Sequence, residues 1–286
     1  MPTNAKEYMI AGGVAGVVSR TAIAPIERLK ILYQLGATSE NLPFTRMASN
    51  ILKDEGPLAF WKGNTAAVVR VVPYMSITFC TYEEYKARLG ALSWPKNLVS
   101  LSAGSLAGLT AVAATYPLDL VRATMAQQGH VYSSVFDALT RISRERGVLA
   151  LYAGIGATSL GVAPYAGLKF ACYETMKVAF SDVLAIEESQ LRPWQRVSAG
   201  ALAGLIAQTF VYPFDVVRRR MQTGRVSSSG HPYTGVVNAL STICREEGFR
   251  GLYRGLSLNY LKTMPNVAIY MSLYDVVKYK LMVLSR

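Results

Sequence analysis

Cysteine and histidine are scarce: the 286-residue chain holds 3 Cys and 2 His. Cys80, Cys172 and Cys244 show no metal-ligand spacing and sit among apolar or helical residues. That excludes a disulfide scaffold and a Cys/His metal site, and leaves the three as reduced packing residues. His130 and His231 fall in polar loops with no nucleophile and base set beside them, so the chain is not expected to be an enzyme. Charge is also sparse, 17% against 51% hydrophobic, which excludes a disordered chain. Acids are the scarcer sign, Asp+Glu 18 against Lys+Arg 30, for a net +12. Such an excess points to nucleic acid, anionic lipid or an anionic ligand. Long apolar runs are missing as well: no stretch is a plain membrane anchor, yet the mean hydropathy of +0.23 is too high for an ordinary soluble enzyme. A membrane bundle with a polar interior satisfies both facts. From Met1 to Glu7 there is neither an apolar signal core nor an Arg/Ser-rich leader, so no cleavable targeting peptide is expected.

What the chain does have is a repeat with a period of about a hundred residues. Ala11-Gly-Gly-Val-Ala-Gly16 leads to Pro25-x-Glu27-x-x-Lys30, Ala103-Gly104 to Pro117-x-Asp119-x-x-Arg122, and Ala199-Gly200 to Pro213-x-Asp215-x-x-Arg218. Later in each unit come Trp61-x-Gly63, Tyr152-x-Gly154 and Tyr253-x-Gly255, then Tyr82-Glu83-x-x-Lys86, Tyr173-Glu174-x-x-Lys177 and Tyr274-Asp275-x-x-Lys278. The units span residues 1–92, 93–188 and 189–286. Each carries two apolar segments, giving six expected membrane spans at residues 8–36, 64–89, 98–127, 155–180, 194–223 and 256–283. Between paired spans, residues 45–54, 134–146 and 236–247 read as amphipathic interfacial helices. Loops within units are rich in Lys and Arg, from Arg46 and Lys53 to Arg219, Arg220, Arg225 and Arg254, whereas the linkers mix Arg88, Lys96 and Arg192 with Asp182 and Glu187. The positive-inside tendency puts the intra-unit loops on the inner side and both termini on the other.

Gly12/Gly16, Gly104/Gly108 and Gly200/Gly204 are small-residue pairs that permit close helix approach. Pro25, Pro117 and Pro213 each remove a backbone donor and kink a helix. The acid two residues on and the cation three beyond it form either a local i, i+3 pair or, across three related helices, a ring in which each acid meets the next unit's cation. The same choice holds for the acids and lysines near the ends of the second helices. Two rings at opposite ends of one cavity would act as gates, and buried ion pairs suit a structure that must open, because desolvation offsets their attraction. Fixed braces are the alternative.

Other charges have no three-fold counterpart. Arg70 stands where the other units have Gly161 and Lys262, and Arg20 where they have Val112 and Gln208. A cation at the bilayer centre costs about 3 kcal/mol on insertion scales, so an unmatched one marks a functional site. Arg20, Arg70 and Lys262, joined by Lys169, form an expected anion site with no carboxylate at matching depth. Opposite them, Gly161, Val162 and Tyr165 offer a backbone gap, an apolar wall and an aromatic edge for a flat heterocycle; a smaller anion, with Gly161 and Tyr165 only packing, is the alternative.

These motifs resemble the mitochondrial carrier family over nearly the whole chain. The resemblance implies an all-α membrane protein: six transmembrane helices in three pseudo-three-fold repeats, with short matrix helices, in a monomer that exchanges solutes by alternating access. It implies matrix-gate pairs Glu27–Arg122, Asp119–Arg218 and Asp215–Lys30, braced by Gln34 and Gln222. The cytoplasmic gate would pair Glu83–Lys177, Glu174–Lys278 and Asp275–Lys86, braced by Tyr82, Tyr173 and Tyr274. More narrowly, Val69-Arg-Val-Val-Pro-Tyr74, Leu160-Gly-Val-Ala-Pro-Tyr165 and Asp215-Val-Val-Arg-Arg-Arg-Met-Gln-Thr223 are similar to the coenzyme A carrier branch. That implies coenzyme A or an adenine nucleotide as cargo, no resident cofactor, no metal, contact with anionic lipid such as cardiolipin, and the mitochondrial inner membrane, with peroxisomal and plastid membranes as alternatives. An ADP/ATP or ATP-Mg/phosphate exchanger that ignores coenzyme A is the nearest competing reading, and a soluble nucleic-acid-binding protein a distant one. Two positions depart from the pattern: Arg146-Gly147 and Ala153 stand where an acid and a cation are usual.

Overall fold

The computed structural model describes residues 5–36, 43–92, 94–128, 131–184, 187, 190, 192–224 and 232–284; His130, His231 and Arg225 lie outside them. Among the described residues there are nine α-helices and no strand: α1 (Ala5–Leu35), α2 (Phe44–Asp54), α3 (Asn64–Gly90), α4 (Lys96–Gln127), α5 (Val135–Arg146), α6 (Ile155–Leu184), α7 (Pro193–Gln222), α8 (Val236–Glu247) and α9 (Leu256–Leu284). The six long ones have 27 to 32 residues. At 1.5 Å per residue that is roughly 40–48 Å, more than the about 30 Å of bilayer hydrocarbon. Three stretches, Asn97–Gln127, Val148–Val183 and Trp194–Gln222, are apolar enough to cross a membrane on composition alone. Among the described residues, α1, α3 and α9 do not reach that apolar measure.

Every long helix runs through an internal proline: Pro25, Pro73, Pro117, Pro164, Pro213 and Pro265. Proline cannot donate to the carbonyl four residues earlier. For Pro25 that carbonyl belongs to Thr21, and the Trp61 indole N–H donates to it at 2.9 Å.

Around the bundle α3 lies along α4, α6 along α7, and α9 returns along α1, closing a ring; α1, α4 and α7 also touch one another. The seams are alanines with no exposed surface: Ala11 and Ala15 on α1, Ala103, Ala107 and Ala111 on α4, Ala199, Ala203 and Ala207 on α7. Spacing of four keeps them on one face, and their small size lets backbones approach. The glycine pairs stand one position later, about 100° further round the helix. Methyl groups placed at Gly104, Gly108 or Gly204 would touch nothing within 4 Å, and only Gly16, 3.3 Å from Val71, is tight. The close approach expected of the glycines thus belongs mainly to the alanines before them. Large apolar side chains such as Val72, Phe79, Phe210 and Met264 remain exposed, as suits a surface solvated by lipid.

The short helices are amphipathic and bury Met47 and Ile51, Ala138 and Ile142, Ala239 and Ile243 in separate clusters under the long-helix ends. After each comes a 3-10 turn and a glycine with positive φ: Gly63 (82°), Gly154 (82°) and Gly255 (83°). A Cβ on Gly63 would stand 2.8 Å from the Arg122 carbonyl oxygen, one on Gly154 3.0 Å from that of Arg218, and one on Gly255 3.4 Å from that of Lys30. Only glycine combines this φ with this contact. Each unit therefore seats its glycine against the next unit's first helix, at the residue that carries the motif cation. The cysteines are free, with Cys80 and Cys244 exposed, so those two are not the packing residues expected.

Candidate functional site

Two residues beyond their prolines, Glu27, Asp119 and Asp215 are carried where α1, α4 and α7 converge. Two of the three expected inter-unit pairs are present: Arg122 with Glu27 at 3.3 Å and Arg218 with Asp119 at 2.6 Å. The third is not. Lys30 donates to Asn259 Oδ1 at 2.8 Å and lies over the Tyr212 ring at 5.5 Å, while Asp215 accepts from Gln208 Nε2 at 2.7 Å. Asn259, on α9 one turn before Lys262, intercepts the Lys30 ammonium. Gln34 consequently donates to Tyr212 Oη at 3.2 Å rather than to the expected pair, whereas Gln222 donates to Asp119 at 2.8 Å.

Above these pairs lies a cavity of about 360 Å³ lined by seven basic residues, Arg20, Lys30, Arg70, Arg122, Arg218, Arg219 and Lys262, against three acids, Glu27, Asp119 and Asp215. Arg70 Nη1 donates to Asp119 at 2.7 Å and its Nε to Thr115 at 3.1 Å; Lys262 Nζ meets Glu27 at 2.5 Å. The expectation that no carboxylate matches their depth is therefore corrected: these long side chains reach the motif acids Asp119 and Glu27. Asp119 gathers Arg70, Arg218, Arg219 and Gln222, whereas Asp215 has Gln208. Arg20 makes no ion pair or hydrogen bond among the described residues, and it lines both this cavity and an adjoining one of about 290 Å³ between α1, α3 and α9.

Gly161, Val162, Tyr165 and Lys169 line neither cavity. Gly161 faces Phe214, whose Cβ would stand 3.6 Å from an added methyl, and Lys169 is exposed. Cavity residues that the pattern did not single out include Asn259, Arg219 and Tyr74. Arg219 was legible in the Arg-Arg-Arg run; Asn259 has no counterpart signal in the other units.

At the opposite end the expected ring is not closed. Lys177 pairs with Glu174 of its own helix at 2.7 Å, not with Glu83, and Glu83, Lys86 and Asp275 are exposed. Lys86, Lys177 and Lys278 each stand over the tyrosine of their own unit, Tyr82, Tyr173 and Tyr274, at 5.4, 5.3 and 6.0 Å. With α1, α4 and α7 drawn together at one end, the helices at the other are apart, and the local i, i+3 pair is what a separated ring retains.

Buried arginines tie the units where they meet the loops. Arg28 holds both oxygens of Glu55 at 3.0 and 2.8 Å and donates to the carbonyls of Ala59 and, in the next unit, Ala126. Arg220 holds Glu247 at 2.5 and 2.8 Å and donates to the Gln34 carbonyl of unit one. Burial alone would raise the Glu55 carboxyl, but hydrogen bonds from Lys62 and Arg28 outweigh it and hold it below the ordinary carboxylate range. Unit two has no such acid. Its Arg146 lies against Gly224 at the end of α7, with Nη1 2.5 Å from where a Cβ would be.

A ring of long helices, an apolar exterior, and a basic cavity sealed at one end by ion pairs between units define a membrane solute carrier rather than an enzyme. The chain belongs to the mitochondrial carrier family: the family model described as mitochondrial carrier protein matches residues 2–92, 93–184 and 189–284. Among its relatives, the mitochondrial coenzyme A transporter of Homo sapiens is 44% identical over 283 residues, covering 94% of this chain and 86% of that protein. The transporter of the same name in Danio rerio is 44% identical, covering 93% and 84%. Mitochondrial carrier protein CoAc1 of Arabidopsis thaliana is 40% identical, covering 97% and 90%.

Proposed function

We propose that this chain is an antiporter of the mitochondrial inner membrane that exchanges coenzyme A against adenine nucleotides such as ADP, AMP or adenosine 3′,5′-diphosphate by alternating access. The cargo follows its relatives' names, and the observation that carries the mechanism is that Arg70 and Lys262, cations from two units, sit on Asp119 and Glu27. A phosphorylated substrate offers the same cations a bidentate oxygen surface. Each cation that turns to phosphate leaves a gate acid with one donor fewer, so cargo binding weakens the closed end while neutralising the cavity's basic excess. Empty, the cavity is held shut below; loaded, it can open.

Matrix and cytoplasmic gates at the two ends, with the intra-unit loops in the matrix, complete this reading. Because α9 packs on α1, one chain builds the whole cavity, which supports a monomer; the basic loops support contact with anionic lipid such as cardiolipin. Proteoliposomes loaded with ADP should take up labelled coenzyme A and empty ones should not. Equal uptake by both, or none, overturns the antiport reading; ADP exchange that unlabelled coenzyme A fails to inhibit would favour a nucleotide exchanger.

A further inference from the structure

The cavity has two lobes of different chemistry. The larger, which α4 and α7 line together with α1, α3 and α9, is mostly charged, with Val112 its one aliphatic side chain. The smaller, between α1, α3 and α9, is mixed: Ile23, Val71 and Met75 give it an apolar wall, and Thr263, Asn266 and Tyr270 give it uncharged polar groups. Arg20, Glu27, Arg122 and Lys262 line both lobes and so stand at their junction, where Glu27 is already paired with Arg122 and Lys262. Away from the junction a phosphate in the second lobe would meet the hydrocarbon of Ile23, Val71 and Met75, so that part suits an uncharged group.

Coenzyme A has the matching division. Its 5′-diphosphate joins two unlike halves, a ribose 3′-phosphate with adenine on one side and, on the other, an uncharged arm with a geminal dimethyl group, a hydroxyl, two amides and a terminal thiol. Resting on the coenzyme A reading above, we propose that the α1/α3/α9 lobe receives this arm and is what separates coenzyme A from plain adenine nucleotides. The diphosphate then lies at the junction, against Arg20, which has no competing hydrogen bond or ion pair among the described residues. The dimethyl carbon packs on Val71 and Met75, and the amides face Asn266 and the Tyr270 hydroxyl. Each lobe is of ordinary size for part of a small-molecule ligand. Recognition of this kind is strict on one side only: an arm that cannot enter is rejected, whereas a nucleotide without an arm leaves the lobe to water.

The test fills the lobe and compares two cargoes in the same proteoliposomes. Met75→Trp should lower the ratio of coenzyme A to ADP exchange by about tenfold or more, with ADP exchange within about twofold of wild type. Thr263→Leu, from the opposite wall, provides a second variant should the first fail to fold, and thermal stabilisation by ADP verifies a folded nucleotide site in either. Wild-type protein should also be inhibited more strongly by dephospho-coenzyme A than by ADP, since both carry the diphosphate and only one has the arm. An unchanged ratio in a folded variant, or equal inhibition by the two compounds, overturns this assignment while leaving coenzyme A transport standing. Failure of wild-type protein to exchange coenzyme A at all overturns the transport reading, and this one with it.

Discussion

Arg70 of the first unit and Asp119 of the second are joined at 2.7 Å, and Asp119 is 1% exposed. On the proposed mechanism, the residue at the expected substrate depth is therefore also a lock on the gate. Arg70→Ala should lose both roles: exchange falls at least about a hundredfold, since a desolvated charge pair is broken. Arg70→Lys should keep part of the activity but not the second donation to Thr115. Initial exchange rates of the two variants decide the matter.

The three motif acids are not equivalent. Asp119 receives three cations and an amide, so Asp119→Asn leaves clustered buried positive charge and should cost about 3–5 kcal/mol of stability or prevent folding. Asp215→Asn removes a partner of one amide and should cost about 1 kcal/mol. Thermal unfolding of the two variants in the same detergent should rank them in that order; the reverse order contradicts the asymmetry described.

At the other end, Lys177 has Glu174 as its partner while the ring is apart. If Glu83 replaces that partner when the ring closes, Lys177→Glu should slow exchange about tenfold or more, and Glu83→Lys added to it should restore much of the loss by reversing the pair. Equal defects in the single and double variants would leave only the local brace.

Glu55, held between Arg28 and Lys62, has its carboxyl lowered, so folding is favoured by its ionised form. The contribution is fully present above the ordinary Glu value of about 4.3 and fades as pH falls through the lower folded value. The difference in unfolding temperature between wild type and Glu55→Gln should be flat from neutral pH down to about 5, then shrink on further acidification.

How much of this was legible in the sequence follows from symmetry. Features that recur in every unit, such as the prolines, the motif acids and cations and the glycines after each aromatic, announce themselves by repetition, and they delivered six long helices and two of three inter-unit ion pairs. Lys30 escaped because its partner, Asn259, occurs in one unit alone and lies on a different helix. Arg20, Arg70 and Lys262 stood out by their asymmetry and line one cavity, but the pairing of Lys262 with Glu27 and of Arg70 with Asp119 depends on side-chain reach, which spacing along one helix does not express. The small-residue seam was displaced by one residue because alanine is inconspicuous beside glycine, though a single step changes the helix face.

Gly63, Gly154 and Gly255 each press on the first helix of the following unit, and the third presses on the first. Such a circuit has no free end. A nascent chain of two units would present α1 without the glycine that seats it and offer Gly154 nothing to seat against, so the final unit acts as the clasp. Commitment to the native ring accordingly waits for the last helices to enter the membrane, and a repeat cut from the chain forfeits its most extensive packing, because α3 with α4, α6 with α7 and α9 with α1 all join different units.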